Sequence, residues 1–295
     1  MASLLDFVAR RVARMRLSSA YRLGRAIGFV FGRVVRPRRA YVLRTLAERL
    51  PETTPAERRR IADGMYRNLA LNLVEFLRVA GGGLDEILGG VRVEGEDRLR
   101  GALKDGRGAL FLVAHIGNWE LMGMAAPRFG YPLTFLAKPI RNRTLNECTM
   151  RIRRETGVRI LTPKQSYRDC LRVLKRNELL GFMLDINRPA SRAVFVDFFG
   201  KPAATTPGLA YLSAHSRAPV LPVFIHRTGE GRHRLVVHDP IPPPLRRDPE
   251  SIREATQVYT RAIEDEVRRK PEDWLWMHKR WRTQPTPPGP ASPSP

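Results

Sequence analysis

Apolar and polar positions change rhythm near residue 90. Residues 3–80 carry helical periodicity, and in "LGRAIGFVFGRVV" Leu23, Ile27, Val30, Phe31 and Val34 fall on one stripe about 100° wide. Arg22, Arg25, Arg33 and Arg36 lie off that stripe, with Phe29 the apolar exception among them. The helical pattern breaks near Pro37 and Pro51, then restarts at "ETTPAE". There Thr54 suits the N-cap, Pro55 the first helical position and Glu57 the reciprocal partner of a capping box. "GGGLDEILGG" (81–90) reads as a flexible joint.

Beyond it, "VRVEGE" alternates and "ALFLVA" is a continuous apolar run. "YPLTFLA", "GVRILT", "LLGFMLD", "AVFVDFF", "PVLPVFIHR" and "HRLVVHD" follow as strand candidates. Helical stretches near 119–128, 142–156, 166–177 and 206–216 separate several of them, and another spans 250–269. Strands alternating with helices predict an α/β fold: a mixed, largely parallel sheet flanked by helices over 91–282. Residues 1–80 form a basic helical N-terminal region, and the Pro-rich 283–295 a disordered tail.

Charge sharpens this picture. The 52 Lys+Arg and 29 Asp+Glu give +23, which favours polyanionic partners. Residues 1–60 hold 15 Arg against four acids, a local +11, so the stripe at 23–34 reads as an amphipathic helix lying on an anionic membrane surface. Neither a signal peptide nor an uninterrupted membrane span is expected, because arginines punctuate every apolar run. Cys148 and Cys170 have no metal-ligand spacing, and no nucleic-acid motif accompanies the charge, so nucleic acid is not expected as a partner.

Chemistry concentrates in "LFLVAHIGNWEL" (110–121), where a buried-strand pattern runs into His115 and, five residues on, Glu120. On a continuous helix these side chains stand about 140° apart. If the strand ends at His115 and a helix starts near Asn118, a turn at Gly117 can fold Glu120 back onto the imidazole. The carboxylate then fixes the tautomer, and the other ring nitrogen takes a proton from an attacking hydroxyl. No G-x-S-x-G elbow is present, so the acceptor's own hydroxyl is the expected nucleophile.

"VAHIGNWELMG" resembles the signature of the bacterial lipid A late (lauroyl/myristoyl) acyltransferases, within the glycerolipid acyltransferases with a His-x4-Asp/Glu motif. "RPRRAYVLRTLAERLPE", "RNLALNLVEFLR", "VRVEGEDRL", "FVDFFGKPAATTPGLAYLSAHSRAPVLPVFIHR" and "PEDWLWMHKRW" extend the likeness over about residues 20–282. The resemblance implies a glycerolipid acyltransferase-like fold and transfer of a fatty acyl chain from an acyl carrier protein thioester to a hydroxyl of a lipid A precursor. It implies His115 as general base with Glu120 as its partner, and neither metal nor redox cofactor. Acyl carrier protein, an anionic glycolipid and the cytoplasmic face of the inner membrane are the implied partners and location.

Substrate contacts are expected from several further residues. Arg153 stands where the family has an arginine that neutralises phosphate or assists the site. Asp185 stands where relatives have Asp-Gln, Ile186 here replacing the amide. Lys138 occupies the family's Arg-Pro slot, and Asn118 lies inside the motif. Lys201 and Thr206, in "FFGKPAATTPG", read as a loop entering a helix near Pro207 whose amides could hold phosphate or sugar. In "DWLWMHKRW", Trp274, His278 and Trp281 share one helical face, suited to core packing or to an interfacial anchor. Two alternatives stay open: the same chemistry on a lysophospholipid, ornithine lipid or phosphoinositol mannoside, and non-catalytic binding to an anionic surface or nucleic acid.

Overall fold

The computed structural model describes residues 4–162 and 167–285. Among these residues nine strands form: β1 (Val91–Glu94), β2 (Ala109–Val113), β3 (Leu133–Leu136), β4 (Arg159–Leu161), β5 (Leu179–Met183), β6 (Val194–Phe198), β7 (Lys201–Thr205), β8 (Val220–Gly229) and β9 (Arg232–Val237). Seven of them build one sheet in the order β1-β9-β8-β2-β5-β3-β4, parallel throughout except for the β8/β9 hairpin. β2 lies in the middle and is buried at all five positions, which explains its unbroken apolar run. Leu110 and Leu112 face one core, with Tyr259, Ile263 and the C-terminal tryptophans. Ala109, Phe111 and Val113 face the other, with Leu121, Met122 and Ile152. A strand alternates its side chains, so a doubly covered strand must be apolar on both sides.

Among the described residues eleven α-helices accompany the sheet: α1 (Leu4–Ala13), α2 (Leu17–Val30), α3 (Arg39–Arg49), α4 (Pro55–Ala80), α5 (Leu84–Gly89), α6 (Glu96–Leu103), α7 (Trp119–Arg128), α8 (Arg143–Glu155), α9 (Tyr167–Lys175), α10 (Gly208–Ser216) and α11 (Pro249–Arg269). α4 starts with the expected capping box: Thr54 Oγ1 accepts from the Glu57 amide, and Glu57 accepts from the Thr54 amide. α2 continues into a π-helical turn, Phe31–Val35, and packs on α4. Ala20, Gly24, Gly28 and Gly32 form the buried seam. A Cβ on Gly28 would sit 2.7 Å from the Arg67 Cα, so the close approach requires glycine. With the small residues turned inward, Leu23, Val30, Phe31 and Val34 are left facing out, Val34 at 68% exposure. Among the described residues no helix is long and apolar enough to cross a membrane.

Three segments differ from the pattern-based expectation. Residues 84–89 are not a joint but the short helix α5, held by buried Ile87 and Leu88. Lys201–Thr205 is a strand, pairing antiparallel with β6 as a separate hairpin. Its Pro-Ala-Ala-Thr text lacks alternation, so only the partner strand reveals it. The 274–281 segment is not helical. Trp274 forms a β-bridge with Ile116, and the Leu275 amide donates to the His115 carbonyl, so the start of the segment is tied to the 115–117 turn. Beyond Leu275 the amides of Trp276, His278 and Arg280 donate within the segment, and Trp274, Trp276 and Trp281 are buried around Phe198 and Phe199.

Candidate active site

β2 and β5 are adjacent and parallel, in a register that sets Val113 opposite Met183. Two residues further along, at the carboxyl ends of both strands, stand His115 and Asp185. Asp185 is buried and accepts from the His115 backbone amide at 3.0 Å and from Trp274 Nε1 at 2.9 Å. Its carboxylate also lies 3.0 and 3.2 Å from His115 Nδ1. The imidazole retains 22% exposure and packs edge-on against Trp119, with ring centroids 5.0 Å apart. With Nδ1 committed to Asp185, no described residue hydrogen-bonds Nε2. His115 lines a cavity of about 500 Å³.

Burial disfavours charge on both partners, yet each favours the charged form of the other. The imidazole is raised above its usual pKa because Asp185, and secondarily Glu120, outweigh desolvation. Asp185 is held well below the carboxylate range, because His115 and the hydrogen bonds from His115 and Trp274 outweigh its burial.

This geometry corrects the role expected of Glu120. α7 begins at Trp119, and Glu120 in its first turn points across the cavity wall to α8, where Arg153 Nη2 meets both carboxylate oxygens at 2.9 and 3.2 Å. No hydrogen bond joins Glu120 to His115; its influence on the imidazole is through space. The turn itself is as expected. Gly117 has φ +58°, and a Cβ there would lie 1.8 Å from the Ile225 carbonyl oxygen, so no other residue fits. Its amide donates to the Asp273 carbonyl and its carbonyl accepts from Asn72.

Other expected ligands divide sharply. Lys138 and Arg153 line the His115 cavity. Asn118 does not serve as a free ligand: Oδ1 caps α7 by accepting from the Leu121 amide, and Nδ2 donates to Glu75 at 2.6 Å. Lys201 sits exposed at the turn of the β6/β7 hairpin and lines neither large cavity. Thr206 Oγ1 accepts from the Gly208 amide and borders a different surface hollow, with Tyr167 and Tyr211, because β7 rather than a loop carries the chain past the site.

Sequence reading missed Arg188 and Arg192, which follow Asp185 and edge the same cavity. Neither has a carboxylate partner among the described residues. Arg188 is partly buried with Nε unpaired, and burial pulls its pKa down. The inner end of the cavity is apolar, lined by Gly123, Met124, Phe135, Val158 and Phe182. On the other side of Trp119 and Glu120 lies a second, almost wholly apolar cavity of about 530 Å³, formed by Ile27, Phe31, Leu69, Leu73, Phe76 and Leu145 among others. Phe31, Leu73 and Leu145 are also exposed, so this cavity opens towards the outward-facing apolar surface of α2.

The family model for bacterial lipid A biosynthesis acyltransferases matches residues 1–283. The chain belongs to this family. It is therefore an acyltransferase. Among its relatives are a lipid A biosynthesis acyltransferase from Haemophilus influenzae, 24% identical over 88% of this chain and 80% of that protein, and the lipid A biosynthesis palmitoleoyltransferase of Escherichia coli, 26% identical over 89% and 85%. A phosphatidylinositol mannoside acyltransferase from Mycobacterium tuberculosis is 26% identical over 67% of this chain and 60% of its own length. A solved structure, the 1-acyl-sn-glycerophosphate acyltransferase PlsC from Thermotoga maritima, aligns with a TM-score of 0.37 at 17% identity, covering 68% of this chain and 82% of that one.

Proposed function

We propose that this member of the family moves a fatty acyl chain from an acyl carrier protein thioester to a hydroxyl of an anionic lipid A-type glycolipid. One observation carries the reading. An imidazole anchored through Nδ1 to a buried carboxylate lines a cavity that has unpaired cations at its edge and apolar walls within. Asp185 keeps the proton on Nδ1, so Nε2 accepts the hydroxyl proton. The hydroxyl oxygen then bonds to the thioester carbonyl carbon. On collapse the C–S bond breaks, and the imidazolium returns its proton to the departing thiolate. Glu120 and Arg153 form an ion pair on the same wall, and Glu120 adds negative potential that favours the imidazolium formed during proton transfer. Arg188, with Lys138 and Arg192, supplies positive charge for an acceptor phosphate. The apolar volumes on either side of Trp119 suit hydrocarbon chains.

Delivery from a bilayer is part of the proposal. The outward stripe of α2, the π turn and the arginines beside it form an amphipathic surface contiguous with the mouth of the apolar cavity. We assign this face to the cytoplasmic leaflet of the inner membrane. Its arginines suit anionic headgroups.

The test is mass spectrometry of lipids from cells with and without the protein, followed by in vitro transfer with an acyl carrier protein thioester and the candidate acceptor in anionic vesicles. The expected result is one acyl mass absent from a phosphorylated glycolipid and restored by the wild-type chain but not by His115→Ala. Restoration by His115→Ala would remove the mechanism. An acyl mass missing from a phosphoinositol mannoside or a lysophospholipid instead would move the acceptor while keeping the chemistry.

A further inference from the structure

Glu75, in the C-terminal part of α4, is 1% exposed and lies outside both the proton-transfer pair and the cations of the cavity. A carboxylate buried this deeply is costly unless every oxygen is engaged. Four side chains, each from a different part of the chain, meet it. Tyr21 of α2 donates its hydroxyl to Oε1. Arg227 of β8 donates to Oε1 at 3.2 Å and to Oε2 at 2.6 Å. His233 Nε2 of β9 lies 3.2 Å from Oε1, and Asn118 donates to Oε2 at 2.6 Å. Arg227 continues the chain of bonds to Asn72 Oδ1 at 2.8 Å, and Asn72 donates to the Gly117 carbonyl at 2.6 Å. Burial alone would push the Glu75 carboxyl up, but His233 and Arg227 hold it down at about 2, so it is anionic at any working pH.

Both ends of this network land on the turn between His115 and Glu120. One reaches the Gly117 carbonyl; the other reaches the Asn118 amide, whose opposite atom caps α7 and so sets where Trp119 and Glu120 project. We infer that Glu75 is a positioning residue for acyl transfer: an anionic anchor that fixes the 117–118 turn, and through it the approach of His115 to the cavity. The inference rests on the acyl-transfer reading above. It also makes α2 part of the catalytic framework, because Tyr21 closes the network from the helix assigned to the membrane.

A charge swap tests this. Glu75→Gln keeps the shape but replaces the Oε2 acceptor by a donor facing the Asn118 amide and Arg227 Nη2. Asn118→Asp keeps the α7 cap but sets a second carboxylate against Glu75. In Glu75→Gln/Asn118→Asp the hydrogen bond between positions 75 and 118 returns with its direction reversed, while the Arg227 Nη2 bond stays lost, so recovery is partial. In the vesicle assay each single variant should lower kcat at least tenfold with KM changed less than threefold. The double variant should recover at least threefold of that loss. Hydrogen exchange of the 116–121 amides should follow the same order: slow, fast, fast, slow.

The inference fails if Glu75→Gln keeps full kcat, or if the double variant is no better than the worse single one while melting at the wild-type temperature. Should Glu75→Gln fail to fold, Tyr21→Phe, which removes one donor only, is the second variant; unchanged exchange at 116–121 would then overturn the assignment. If the wild type itself transfers no acyl group, the proposed function fails, and the exchange series alone still decides whether Glu75 holds the turn.

Discussion

Asp185→Asn tests the proposed mechanism most directly. In the native site one carboxylate oxygen accepts from the His115 amide and Trp274 Nε1, and the other faces His115 Nδ1. Two fixed donors demand an acceptor, so the asparagine carbonyl oxygen must take the first position, leaving its NH₂ facing Nδ1. Nδ1 then has to accept, the ring proton moves to Nε2, and the nitrogen lining the cavity can no longer take a proton from a hydroxyl. Loss of a general base of this kind costs about 10²–10⁴ in rate, about 3 to 5 kcal/mol of barrier. The fold should survive, since every backbone contact persists. A pH signature accompanies the loss. In the wild type Asp185 raises the His115 pKa above the ordinary 6.5 despite burial, so kcat/KM should fall as pH drops through a limb above that value. In Asp185→Asn burial acts without the counter-charge, and the acidic limb of the residual activity should move below it. Thiol release from an acyl thioester, with acceptor present, over pH 5–9 reads both effects (about four pH units bracket the imidazole range). Asp185→Asn turning over within threefold of wild type, with an unmoved limb, would refute the assignment of Asp185 as the group that fixes the imidazole.

Three further outcomes follow from the same geometry. Arg188→Ala should raise KM for a phosphorylated acceptor by about 10–100-fold, the worth of one charge-assisted hydrogen bond, and leave a dephosphorylated analogue nearly unaffected; equal effects on both would remove its phosphate role. Gly28→Leu drives a side chain into the Arg67 backbone and should cost about 1–3 kcal/mol or detach α2, read as a lower melting temperature. An unchanged melt would show that the α2–α4 seam is not tight. Phe29→Ser with Val34→Asp removes two exposed apolar side chains and should cut co-sedimentation with anionic vesicles at unchanged melting temperature, whereas full retention would place the membrane face elsewhere.

The fold was largely legible because its signals are local. Continuous runs such as Ala109–Val113 predict strands covered on both faces, the Thr54–Glu57 box marks the start of α4, and the helices at 119–128 and 250–269 follow from periodicity. Gly117 and His115 were legible for the same reason: a strand end, a tight turn and a helix start lie within a few consecutive residues. Where local text was neutral, the reading failed. Lys201–Thr205 becomes a strand only because β6 lies beside it, and the 274–281 segment starts as an extended bridge because the 115–117 turn pairs with Trp274 and Leu275.

What the sequence determined alone is the class of chemistry: a histidine at the mouth of a buried strand, in a family whose members transfer acyl groups. Which acid touches that histidine was a tertiary decision. Glu120 is five residues away along the chain, but a helix starting at Trp119 carries it towards Arg153. Asp185 is seventy residues away, yet adjacent parallel strands in register bring it to the same edge of the sheet. Hydrogen bonds reach only about 3 Å, and separation along the chain says nothing about that distance until the order and register of the strands are known.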